Sequence, residues 1–261
     1  MGKPSQSQTE ALPWLSHLVE LRDRLVRALL GVLLVFIPLS IFSKDLFTLL
    51  AGPLMVFLPE GTSMIATEVA SPFLTPFKLA LLAAIVLAMP WILHQAWGFI
   101  APGLYQHEKR IAIPLLFSSV LLFYAGIAFA YFVVFPLVFG FLTSMAPDGV
   151  TIATDIGKYL DFVIALFIAF GLAFEVPIAT VLMVWAGITT PTKLKQKRPY
   201  VFLGAFVAGM FLTPPDIISQ TLLAVPMYLL FEAGIVMARL LVPGIKEREQ
   251  QDAARANQAA D

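Results

Sequence analysis

Long apolar runs separated by short polar stretches dominate the chain. The first runs from about Leu25 to Phe42 and the second from about Phe73 to Phe99, with Pro76 and Pro90 inside it. The third spans about Ile111 to Phe135, the fourth about Leu160 to Trp185, the fifth Tyr200 to Thr213, and the sixth about Ile217 to Leu241. Most approach or exceed the roughly 20 residues needed to cross a hydrocarbon core of about 30 Å. Lipid offers no partner to free backbone N–H and C=O groups, so each run is read as a helix that pairs its own backbone. Ahead of the first run, Trp14, Leu18, Leu21, Leu25 and Leu29 fall at helical spacing, which predicts an amphipathic helix feeding the first span. The fifth run has 14 residues, and at about 1.5 Å per residue it covers only about 21 Å. The fifth and sixth spans are read as short crossings joined by a tight Pro214-Pro215 turn, where the bilayer would be locally thin. The segments between the first two spans and after the third are read as ordered loops capping the outer mouth. No internal repeat is apparent, so the inverted halves of many secondary transporters are not expected.

Composition supports a membrane class. Of 261 residues, 59% are hydrophobic and 13% charged, the latter about half the usual share of a soluble domain; the mean hydropathy is +0.86. There are no cysteines, so thiol and disulfide chemistry is excluded. His17, His94 and His107 show no metal-binding spacing, so neither a metal nor a cofactor is expected. Net charge is formally zero, which gives no reason to expect a nucleic-acid partner. The N-terminus shows no removable signal-peptide pattern. Residues 1–241 read as a single six-helix membrane domain and 242–261 as a flexible, charged, alanine-rich cytoplasmic tail.

Lysine and arginine placement orients the spans. With the N-terminus inside, Lys3, Arg22, Arg24, Arg27, Lys109, Arg110, the Lys193–Arg198 cluster, Arg239 and the tail cations all lie inside, and only Lys44, Lys78 and Lys158 outside. A re-entrant fifth segment would move the tail cations outside, against the same rule.

Several acids need a reason. Glu20 and Asp23 sit among the arginines of "SHLVELRDRL". Glu20 with Arg24, and Asp23 with Arg27, are each four apart, and each could be a surface helix pair contributing about 0.3–0.5 kcal/mol. The alternative starts from Glu108 in "GLYQHEKR", a second carboxylate on the same side, with Trp14, Trp97, Phe99 and Tyr105 near the two acids in sequence. Two such carboxylates suit a ligand with adjacent guanidinium groups, because an arginine fork matches a carboxylate through two parallel bonds. Glu175 lies midway along the fourth span, where a carboxylate costs about 2.5–3.5 kcal/mol and must face protein, water or a partner. It is either a neutral acid hydrogen-bonded to a neighbouring helix or a functional group. Gln220 and Glu232 extend this polar set, and Asp216 reads as the N-cap of the last helix.

At these residues the chain resembles the TatC family, the multispanning subunits of the twin-arginine protein translocase. The matching blocks are "SHLVELRDRL", "FIAPGLYQHEKR", "LLFYAGIAFAYFVVFP", "FGLAFEVPI", "KRPYVFLGAFVAGMFLTPPD" and "SQTLLAVPMYLLFE", in order over about Trp14 to Leu241. The resemblance implies an all-α integral membrane protein whose six transmembrane helices form a curved, glove-like wall in the bacterial cytoplasmic (inner) membrane, with both termini cytoplasmic. It implies export of folded proteins carrying paired-arginine signal peptides, powered by the protonmotive force. Carried over, Glu20 and Glu108 would pair with those arginines, with Arg22 and Phe99 in the same site. Pro53 and Asp216 would be structural. Glu175, Met210, Phe211 and Gln220 would contact the single-span partners TatB and TatA, and further TatC copies would join the complex.

Helices about 10 Å across in a closed ring of six would leave a hole of about 10 Å, while a folded 100-residue cargo has a radius of gyration near 13 Å. The chain is therefore read as a receptor and assembly platform, not a pore by itself. No phosphate-binding GxxxxGK[ST] loop is present, and no paired intramembrane aspartates or serine with histidine suggest a protease, so an enzyme is not expected. The competing reading is a proton-coupled small-solute transporter using Glu175.

Overall fold

The computed structural model describes residues 13–55, 64–100, 109–145, 154–212, 217–245, 247 and 249–250. These residues form helices α1 (Pro13–Ile41), α2 (Ser43–Met55), α3 (Ser71–Ile100), α4 (Lys109–Phe129), α5 (Phe135–Ser144), α6 (Ile156–Trp185), α7 (Pro191–Gln196), α8 (Arg198–Leu212) and α9 (Ile217–Leu241). Five spans are long and apolar enough to cross a membrane, while the 15-residue α8 is a shorter apolar helix. The sixth span has the expected bounds, Ile217–Leu241, but its 25 residues are of full membrane length, so of the last pair, both read as short crossings, only α8 is short. The turn at Pro214-Pro215 and the cap residue Asp216 lie outside the described residues.

Alternate spans run in opposite senses, so the chain has an end where α1 begins and an opposite, loop end. The core near the loop end is aromatic. Phe135 stacks on Phe167 with centroids 5.4 Å apart, and Leu160, Val163, Leu166 and Phe170 are buried around them. The other core joins Trp97, Ile178, Val181, Trp185, Leu194, Phe231 and Ile235. It also takes in Val242 and Ile245, both buried, and Glu249 accepts hydrogen bonds from the Thr192 amide (3.0 Å) and hydroxyl (2.6 Å) on α7. Residues just beyond 241, expected to be a loose tail, are thus anchored by two apolar side chains and a polar clasp.

α4 and α6 pack backbone to backbone. A Cβ at Gly126 would lie 2.5 Å from the Phe170 carbonyl oxygen, and one at Gly171 would lie 2.5 Å from Cε2 of Phe123. At Gly126 the obstacle is backbone and glycine alone fits, the usual way helices in lipid approach closely enough to gain dispersion contact; at Gly171 the obstacle is the Phe123 ring. Between α4 and α5 the helix widens into a π-helical turn, Ala130–Val134, where the Phe135 amide bonds back to the Ala130 carbonyl. Pro136 follows directly; its missing N–H and its ring are incompatible with the regular bond to the residue-132 carbonyl, and the wide turn absorbs that conflict. At the loop end, Ile65 pairs with residues on either side of Asp155: its amide bonds to the Thr154 carbonyl (3.0 Å) and its carbonyl accepts from Ile156 (2.9 Å).

Candidate functional site

α1 rests mainly on α3. Much of its apolar surface, including Leu25, Leu29, Leu30, Leu34, Ile37 and Ile41, is exposed, as suits a helix whose other neighbour is lipid. Where α1 begins, it meets the last turns of α3. His17 stacks on Phe99 with ring centroids 4.2 Å apart and planes 21° from parallel. One turn further along α1, Arg24 donates through Nε (2.9 Å) and Nη2 (2.7 Å) to Oε1 of Glu20. The expected i,i+4 pair therefore forms. Among the described residues Oε2 of Glu20 has no donor. The second expected pair does not form: Asp23 is bound by its neighbour Arg22 at 2.7 Å, and the Arg22 side chain is 70% exposed. Glu108 lies outside the described residues, so its convergence with Glu20 is a proposal taken up below.

Arg24 and Gly98 were missed in the sequence as parts of this site. A Cβ at position 98 would come within 2.1 Å of Arg24 Nη1 and 2.8 Å of Cζ, so the guanidinium lies where a side chain of α3 would otherwise stand. The available signal was Arg24's place four residues after Glu20; nothing in the sequence pointed to Gly98.

The second cluster is inside the bundle. Glu175 on α6 accepts a hydrogen bond from the Ser119 hydroxyl on α4. Ser119 is buried, and the other carboxylate oxygen of Glu175, Oε1, is buried without a partner among the described residues. The acid thus faces a neighbouring helix, as one of the two readings of it required. Ser119 stands in the Ser118-Ser119 pair of an otherwise apolar run, a signal that went unused. Gln220 donates from Nε2 to the Phe206 carbonyl at 2.7 Å, tying α9 to α8. Met210 and Phe211 are exposed on α8, Phe211 at 80%. Pro53 falls near the end of α2. Glu232 is held by the Arg198 guanidinium and, at 3.0 Å, by the Tyr228 hydroxyl.

The third cluster caps α6. Oδ1 of Asp155 accepts from the amides of Gly157 (2.9 Å) and Lys158 (3.0 Å), and Oδ2 from the Thr67 amide (2.8 Å) and hydroxyl (2.7 Å). The Thr67 hydroxyl first, then these amides, hold the Asp155 carboxyl well below its ordinary range. Nearby, Lys78 reaches Asp161 at 2.9 Å.

A set of membrane-length helices, with a part-exposed acidic group where α1 begins and a second acid buried within, defines a multi-pass membrane protein. The profile described as "TatC: Sec-independent protein translocase protein (TatC)" matches residues 16–226. The chain is 62% identical over 234 residues to the Sec-independent protein translocase protein TatC of Azotobacter chroococcum mcd 1, covering 90% of this chain and 91% of that one. It is 55% identical over 244 residues to that of Escherichia coli (strain K12), covering 94% and 95%. A solved structure titled "Crystal Structure of Twin Arginine Translocase Receptor- TatC" superimposes with a TM-score of 0.78 at 39% identity, over 86% of this chain and 98% of that one. The chain belongs to the TatC family and is a component of a Sec-independent protein translocase. Family membership displaces the small-solute transporter reading.

Proposed function

We propose that this protein is the receptor of its translocase: it binds signal peptides carrying paired arginines at the rim where α1 begins, and it nucleates the export site for folded cargo. The observation that carries this is the Glu20 carboxylate. It is part-exposed, beside an aromatic stack, and already accepts two donors of a guanidinium fork, so its surroundings accommodate the group it would bind. Glu108, Arg22 and Phe99 complete the site. This rim faces the cytoplasm from the bacterial inner membrane, a sidedness that the lysine and arginine bias supports. Glu175, Gln220, Met210 and Phe211 serve single-span TatB and TatA partners, and Pro53 and Asp216 serve the fold. The protonmotive force supplies the work, about 2.3 kcal/mol per charge moved through 100 mV.

The test is photocrosslinking from positions 20 and 108 to a paired-arginine peptide, together with binding to Glu20→Ala and Glu108→Ala. Crosslinks at both positions and loss of binding in both folded variants are expected. Crosslinks confined to the loop end overturn the assignment.

A further inference from the structure

The Glu20 site is not vacant in this structure; it is occupied by the protein's own arginine. Arg24 gives Glu20 two guanidinium donors, both on Oε1. The contact is also more than an incidental helix-surface pair. The guanidinium is seated on α3 in space left by the missing side chain of Gly98, and Arg24 keeps only 22% of its side-chain exposure, whereas Glu20 keeps 35%. The neighbouring Arg22, two residues away, is 70% exposed and pairs with Asp23. So the sequence supplies two arginines to this turn, and the fold seats one of them on the acid.

A guanidinium fork uses both oxygens of a carboxylate for its best geometry, and Arg24 holds Oε1. An incoming fork can be accommodated only if Arg24 lets go, which needs a rotamer change of one side chain and no unfolding. Resting on the receptor reading above, we propose that Arg24 is a resident competitor for Glu20: a paired-arginine peptide binds by displacing it, and the displaced contact keeps the peptide's hold weak enough to be reversed. The opposite role is a positioning one, in which Arg24 orients Glu20 for the peptide. The two roles predict opposite signs.

The experiment uses the full chain in lipid nanodiscs and a fluorescent peptide with paired arginines, read by anisotropy. Under competition, Arg24→Gln tightens binding up to about fivefold, the range for release of a part-exposed ion pair. Gly98→Ala, which drives the guanidinium off α3 without touching either charge, tightens it in the same direction and stands in should Arg24→Gln fail to fold. In a Glu20→Gln background Arg24→Gln changes nothing, because the contested carboxylate is gone. Unchanged or weakened binding in Arg24→Gln and Gly98→Ala overturns the inference, as does equal tightening with and without Glu20. Should Glu20→Gln alone bind like the unmodified protein, the receptor site itself is misplaced; that result is distinct from a failure of competition within a correctly placed site.

Discussion

Replacing Gly126 by alanine tests whether α4 and α6 touch backbone to backbone. The added methyl would sit 2.5 Å from the Phe170 carbonyl oxygen, 3.0 Å from its carbon and 3.0 Å from Cβ of Phe174. The tightest contact is about 1 Å short of ordinary van der Waals distance, and the obstacle is helix backbone, which cannot swing aside. Overpacking of this kind costs about 1–3 kcal/mol. Against it stands the gain from removing a mid-helix glycine, about 0.5–1 kcal/mol. The net is a loss of up to about 2.5 kcal/mol, or a few degrees of midpoint for a chain of this size. Gly204 on α8 is the control: it is exposed and nothing lies within 4 Å of its would-be Cβ, so only the propensity gain remains and Gly204→Ala should be neutral or slightly stabilising. The assay is thermal unfolding in one detergent, followed by circular dichroism and by retention of a monodisperse peak. Ser119 lies two turns before Gly126 on the same helix, so prying the pair apart also strains the Ser119–Glu175 bond. A Gly126→Ala protein as stable as Gly204→Ala would refute the close approach and the magnitude built on it.

Glu175→Ala should leave binding of a paired-arginine peptide intact while lowering assembly with the single-span partners, scored by co-purification; Ser119→Ala should do the same more mildly. Because folding depresses the carboxyl pKa of Asp155, its stabilising contribution is complete above the ordinary carboxylate value of about 3.9 and is lost as pH falls below that toward the folded value. Amide exchange at Thr67, Gly157 and Lys158 should therefore lose protection on acidification, and Asp155→Asn should remove that pH dependence. Phe170→Ala, at a fully buried position, should cost about 3–5 kcal/mol, measured by the same unfolding assay. Ile245→Asp should unseat the segment after α9 and expose it to protease without altering the spans.

The spans were legible because their lengths and apolar character are set by lipid, a solvent that leaves the backbone one solution. What escaped the sequence depends on contacts between helices. On α9 the polar residues Gln220 and Glu232 each find a partner on α8, the Phe206 carbonyl and the Arg198 side chain, which the pattern along one helix does not report. Val242 and Ile245 look like part of a charged tail until Trp97, Trp185 and Leu194 surround them. Glu20 was readable as an acid out of place. That Arg24 would be seated over a glycine of α3 was not, since no periodicity along one helix reports a gap on another.

The wide turn at Ala130–Val134 sets the phase of the helix that follows it. On the α4–α5 rod the buried positions are Leu115, Ser119, Phe123, Gly126, Ala130, Val134, Phe135 and Val138, a stripe repeating at close to every fourth residue. A regular helix, at about 3.6 residues per turn, would let that stripe wander around the rod; the single extra residue winds it back. Deleting one residue there would rotate everything downstream by about 100°, turning Phe135 and Val138 from the aromatic stack toward lipid while leaving α4 untouched. The turn that breaks helical regularity is what lets α4 and α5 both keep their buried side toward α6.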